Sequence, residues 1–120
     1  MTLSEQLARF LAAEYPDIAM THGQMPQAPD RCVTVFGSDL RTAGAPDGAR
    51  LQVRVRGDTS GSMAANDAQT IADRLDDFTG LFTPDGHYIV RVSLESGPAH
   101  LGADQNQRQE YSVNFRVWYC

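Results

Sequence analysis

Two stretches of the chain alternate apolar and polar residues with a period of two. In the first, Leu51, Val53 and Val55 alternate with Gln52, Arg54 and Arg56. In the second, Tyr111, Val113, Phe115, Val117 and Tyr119 alternate with Ser112, Asn114, Arg116 and Trp118. A period of two places the two sets on opposite faces of an extended chain, so both stretches predict strands, over 51–56 and 109–119. A sheet with one apolar face must bury it against another layer. Two helical patterns supply that layer. Leu3, Leu7, Phe10 and Leu11 share one face of a first helix. Thr2 is placed to cap it with Glu5 three residues on, and Glu5 and Arg9 form a favourable i,i+4 pair. Pro16 disfavours helix at the residue before it, so this helix stops at Tyr15. The second pattern, Ala68, Ile71, Ala72, Leu75 and Phe78, predicts a helix from about Met63 to Thr79. It is capped by Ser60 or Ser62 and stopped by Gly80.

The remaining segments complete the order. Residues 18–22 predict a short strand, and 23–30 (GQMPQAPD) a loop, because proline cannot donate to a sheet ladder. The strand 31–36 is apolar on both faces, which predicts a central position covered on both sides. A strand over 87–95 follows the turn signature Thr83-Pro84-Asp85-Gly86, with Tyr88, Val90, Val92 and Leu94 on one face. Two long polar loops, 37–50 and 96–108, connect the strands. The order α-(β)-β-β-α-β-β predicts an α+β fold in one domain over 1–120, with a single mixed sheet of four to five strands and both helices on one face. The strands at 51–56 and 87–95, joined through a helix, are expected to be parallel, and the last two to form a hairpin. The uncovered face is expected to show Arg54, Arg56, Asn114 and Arg116, a polar surface or the lining of a lumen.

Composition narrows the chemistry. The 120 residues include 10 Lys plus Arg, all of them Arg, against 15 acids, a formal charge of -5. The acidic balance argues against a nucleic-acid binder working through counterion release. Without Lys there is no Schiff base and no P-loop. Cys32 and Cys120 form neither a disulfide framework nor a metal site. No apolar run approaches the roughly 18 residues of a membrane span, and the start MTLSEQLARF lacks the pattern of a secretory signal. Arg56-Gly57-Asp58 spells an adhesion tripeptide but reads as a strand end followed by a loop. Gly57 to Ser62 does not match a phosphate-binding loop, and Ser60 has no base placed to activate it. His22, His87 and His100 are scattered over three segments, without the spacing of a triad or a zinc site. No enzymatic activity, cofactor or metal is expected.

One feature breaks a local rule. Asp73, Asp76 and Asp77 fall in the C-terminal half of the second predicted helix, where acids oppose the helix dipole, and Asp73 and Asp77 repel at i,i+4. Arg74, three residues before Asp77, relieves part of this. Two readings fit: a solvated acidic face, or a contact patch for a basic partner.

Taken together, several stretches resemble a known family. They are MPQAPDR (25–31) with the strand VTVF, LQVRVRGD (51–58), AQTIADRLDDFTGL (68–81) and LGADQNQRQEYSVNFRV (101–117). In this order and length they resemble the minor capsid or tail-terminator proteins of long-tailed bacteriophages, over about residues 20 to 118. The resemblance implies a virion protein at the head–tail interface, assembled in the host bacterial cytoplasm. It implies a homo-oligomeric ring, usually six-fold, that caps the tail tube protein, stops its polymerisation and docks a neck or stopper connector. Double-stranded DNA passes through such a ring without specific binding, and no membrane is involved. The competing readings are a neighbouring neck protein (stopper or head-completion factor) and a small non-viral binding module. The candidate contact residues are Asp39, Arg41, Asp47 and Arg50 in the first long loop; Asp73, Asp76 and Asp77 on the helix; and His100, Asp104 and Arg108 in the second long loop.

Overall fold

The computed structural model describes residues 2–37, 49–81 and 86–119. Its elements follow the expected order: α1 (Leu3–Glu14), β1 (Ala19–His22), β2 (Cys32–Gly37), β3 (Ala49–Arg56), α2 (Ser62–Leu75), β4 (Ile89–Ala103) and β5 (Gln109–Tyr119). The five strands form one mixed sheet in the order β1-β2-β3-β5-β4, in which only the β1–β2 pair is parallel. Both β3 and β4 run antiparallel to β5, so they are parallel to each other with β5 between them. α1 lies over β1 and β2, and α2 over β3, β5 and β4. The apolar stripes of both helices join the inward residues of the sheet in one hydrophobic cluster that includes Leu7, Leu11, Val33, Val53, Ile71, Leu75 and Phe115.

α1 begins and ends as its sequence dictates. The Thr2 hydroxyl accepts the Glu5 N–H at 3.2 Å, and Glu5 pairs with Arg9 at 2.9 Å. Tyr15 takes a non-helical backbone just before Pro16. Gly57, where β3 leads toward α2, is fixed by close approach. A Cβ there would lie 2.7 Å from the Ala64 backbone nitrogen. Gly57→Ala is therefore expected to destabilise the fold by about 1–3 kcal/mol, the range for overpacking, measurable by thermal denaturation.

Three expectations are corrected. First, α2 ends at Leu75 rather than Thr79. Asp76 turns extended because its carboxylate accepts the Leu94 N–H of β4 at 2.9 Å, and Asp77 takes a positive φ of 62°. The Phe78 carbonyl then accepts the Val92 N–H at 2.8 Å, so residues 76–81 run beside the start of β4. The helix starts at Ser62, and its N-cap, Gly61, lies in the left-handed region and makes no side-chain cap bond. Ser60 is instead held by the Asp58 carboxylate, whose pKa these bonds lower. Second, most of the expected loop 96–108 is strand: β4 continues to Ala103, leaving a turn at Asp104–Arg108. It continues by absorbing four register shifts against β5. Gly97, at φ 94°, enables one of them; a Cβ there would stand 2.6 Å from the Ser112 carbonyl oxygen. Third, a shift between Ile89 and Arg91 reverses the expected alternation at the start of β4. Ile89 and Val92 are buried, while Tyr88 and Val90 are exposed. A bulge adds a residue to one strand and flips the faces beyond it. Of the other long loop, Gly37 belongs to β2, Ala49 and Arg50 belong to β3, and residues 38–48 lie outside the described residues. The turn residues Thr83, Pro84 and Asp85 also lie outside them.

Candidate functional site

The polar residues of β3 and β5 share the face of the sheet opposite the helices, as their alternation requires. One end of that face is covered. Arg56, 4% exposed, reaches across to the loop between β1 and β2, donating from Nε to the Asp30 carbonyl at 2.9 Å and from Nη2 to the Pro29 carbonyl at 2.8 Å. Arg108, in the β4–β5 turn, donates to the Gln27 carbonyl at 2.6 Å and to the Asp30 carboxylate at 3.2 Å. Its Nε meets Asp104 at 2.8 Å. Arg31 closes the loop by a bidentate pair to Asp67 on α2, at 2.8 and 2.9 Å. A carboxylate and a planar guanidinium match in this fork, which fixes direction as well as distance. Three arginines thus pin one loop, and beneath it Cys32 and Thr34 are fully buried. Burial pushes the Cys32 thiol up, away from the thiolate a nucleophile needs.

Asp104 organises the turn. Its carboxylate accepts the N–H groups of Asn106 and Arg108, each at 2.9 Å. Desolvation works to raise this carboxyl, but the hydrogen bonds from the backbone and guanidinium of Arg108 outweigh it and hold it below its ordinary value. His100 shares a 2.7 Å hydrogen bond with Gln109 and stacks on Tyr111 at 4.9 Å. A polar cleft of about 300 Å³ lies between the pinned loop and this turn, with Arg54, Arg56 and Glu110 among its lining residues.

The other end of the face is open. Across it runs a ladder of polar side chains. Arg54 Nε donates to Gln52 Oε1 at 3.2 Å, Gln52 Nε2 to Asn114 Oδ1 at 3.3 Å, and Asn114 Nδ2 to Ser96 Oγ at 3.1 Å. The Arg54 guanidinium stands 5.7 Å over the Phe36 ring. Arg50 and Arg116 flank one carboxylate, Glu95, at 3.7 and 3.8 Å. Of these residues, Phe36, Arg50, Gln52, Glu95, Ser96 and Asn114 line a cleft of about 480 Å³.

The structure therefore sorts the candidate residues into groups. Arg50, Arg54, Asn114 and Arg116 come together on the open face. Arg56 and Arg108 lie under or against the pinned loop, with Asp104 beside Arg108. Asp73, Asp76 and Asp77 gather at the C-terminal end of α2, where Asp77 pairs with Arg91 at 3.1 Å and Asp73 accepts the Gln69 amide at 2.9 Å. The expected relief of Asp77 by Arg74 is not what forms. Arg74 pairs with Glu14 of α1 at 2.7 Å and lies 5.0 and 5.2 Å over the rings of Phe10 and Phe78. Asp39, Arg41 and Asp47 lie outside the described residues. Gln52, Ser96 and Phe36 were missed as site residues. Gln52 and Phe36 carry a usable signal, their positions opposite the inward residues in the β3 and β2 alternations.

Fold and surface together define a small α+β protein, its mixed sheet backed by two helices on one side and carrying an arginine-bearing polar face on the other. The chain belongs to the bacteriophage tail terminator family: a family model described as "Bacteriophage tail terminator protein" matches residues 11–119. It is accordingly a structural protein of the phage tail, placed in the virion and interacting with other tail and head proteins. No curated protein and no solved structure gave a significant match. Among the described residues, no helix is long and apolar enough to cross a membrane, and no group of His, Cys, Asp or Glu is placed to hold a metal ion.

Proposed function

We propose that copies of this chain, six in the simplest case, close into a ring on the head-proximal end of the tail tube. There the ring stops tube polymerisation and presents a docking face to the neck connector. The observation that carries this reading is family membership over nearly the whole chain. The surface chemistry supports it. A closed cyclic assembly joins two different patches on neighbouring copies, and this chain presents two polar surfaces of different character on opposite sides of one core. A net charge of -5 on each copy suits a passage through which DNA slides, because an acidic wall does not grip phosphates. The exposed members of the candidate set, Arg50, His100 and the acids at the end of α2, are offered to neighbouring copies, the tube or the connector.

Phage assembly with this chain withheld tests the reading. Tails are expected to exceed their fixed length and to lack heads, and purified chain added during assembly is expected to restore both length and joining, as seen by electron microscopy. Tails of normal length without this chain would overturn the terminator role. Normal tails that only fail to join heads would transfer the chain to the neck.

A further inference from the structure

We propose that the open sheet face of one copy receives the C-terminal end of α2 from the next copy, with Arg54 and Arg116 taking Asp73 and Asp76. This deepens the ring reading, on which it rests, by naming the two surfaces that meet.

The charges on the two surfaces are complementary. On the sheet face, the guanidinium groups of Arg50, Arg54 and Arg116 stand against two carboxylates: Arg50 and Arg116 share Glu95, while Arg54 leans on neutral Gln52 and the Phe36 ring and lines the neighbouring polar cleft with Glu110. The face keeps a positive excess on a chain that is acidic as a whole. The end of α2 has the opposite excess. Glu14 is matched by Arg74, and Asp77 by Arg91. The Asp73 carboxylate meets the neutral Gln69 amide, and that of Asp76 the Leu94 N–H. Both acids sit where the helix dipole disfavours negative charge, so a cation arriving from outside relieves an existing repulsion. In the cleft beside Arg50, Gln52, Ser96 and Asn114 offer hydrogen-bonding groups. Electrostatic matching of this kind sets orientation and register between partners. Because the two surfaces lie on opposite sides of the core, they cannot meet within one copy, and they make the heterologous contact that a ring requires.

A charge swap tests this. Purified full-length chain is followed by analytical ultracentrifugation and by electron microscopy on assembling tails. Arg54→Glu and Asp73→Arg, each alone, are expected to raise the concentration needed for assembly at least about tenfold, because like charges then face each other. An equimolar mixture of the two variants is expected to assemble again, since each altered socket meets an altered plug and six copies close by alternation. The double variant is expected to assemble on its own. The milder Arg54→Gln and Asp73→Asn, with unchanged melting temperatures, separate a lost contact from a lost fold by giving smaller defects of the same kind. Single variants that assemble like wild type overturn this interface and leave the ring reading intact. Single variants that fail and are not rescued by mixing also overturn it. A wild-type chain that never self-associates, in solution or on tails, overturns both.

Discussion

Phe115→Ala is expected to lower the unfolding free energy by about 3–5 kcal/mol, the range for removing a fully buried aromatic ring. Phe115 is fully buried, faces Leu51 on β3 and Leu94 on β4, and is the largest of the fully buried side chains. Its ring fills the space where three strands meet α2. The neighbours that would have to collapse into the gap are backbone-paired strands, which move little, so most of the cavity remains and its cost is added to the lost transfer energy. Urea denaturation followed by circular dichroism checks this, with an unchanged slope and a lower midpoint. A loss under about 1.5 kcal/mol would mean that the layers close over the gap and that Phe115 is not central to the core.

Arg56→Met is the second large effect expected, about 2–4 kcal/mol. Methionine preserves an unbranched apolar stem but removes two charge-assisted hydrogen bonds, leaving the carbonyls of Pro29 and Asp30 without these donors. Arg56→Lys is expected to recover little, because an ammonium lacks the planar fork that reaches two carbonyls at once. The damage should be local as well as global. Hydrogen exchange is expected to quicken across residues 23–31 while β5 keeps its protection. A neutral outcome would mean that the cost of burying the guanidinium cancels what its hydrogen bonds return, the known alternative for buried charge.

The contrast between these two residues marks where the sequence was legible. Phe115 belongs to the core by its place in an eleven-residue alternation, because period two leaves no choice of face once a strand forms. The same rule set Arg56 on the opposite face and was correct there as well. It could not say that a proline-containing loop would fold back over that end and bury the guanidinium, since the contact spans 26 positions of sequence. For the same reason Arg108 looks, by sequence, like a loop residue open to partners. Its partners at Gln27 and Asp30 are 81 and 78 positions away.

Interruptions of periodicity were harder to read than periodicity itself. The pattern of α2 runs on through Phe78, and Phe78 does reach the core, but after the helix has ended. The Asp76 carboxylate and the Phe78 carbonyl have partners on β4, and those bonds outweigh a further turn of helix. In β4, Gly97, Pro98 and Gly102 resemble loop residues, yet the strand accommodates them as bulges because β5 offers an unbroken ladder beside it.

The amino-acid order alone determined the number and sequence of elements, the inward faces of α1, α2, β3 and β5, and the family resemblance, because local periodicity and turn chemistry act within a few residues of chain. The tertiary structure alone decided where α2 stops, how far β4 extends, and which arginines pin the β1–β2 loop and which remain on the open face. Those outcomes depend on hydrogen-bond partners brought together by the sheet order β1-β2-β3-β5-β4, and no local pattern encodes a partner that lies scores of residues away.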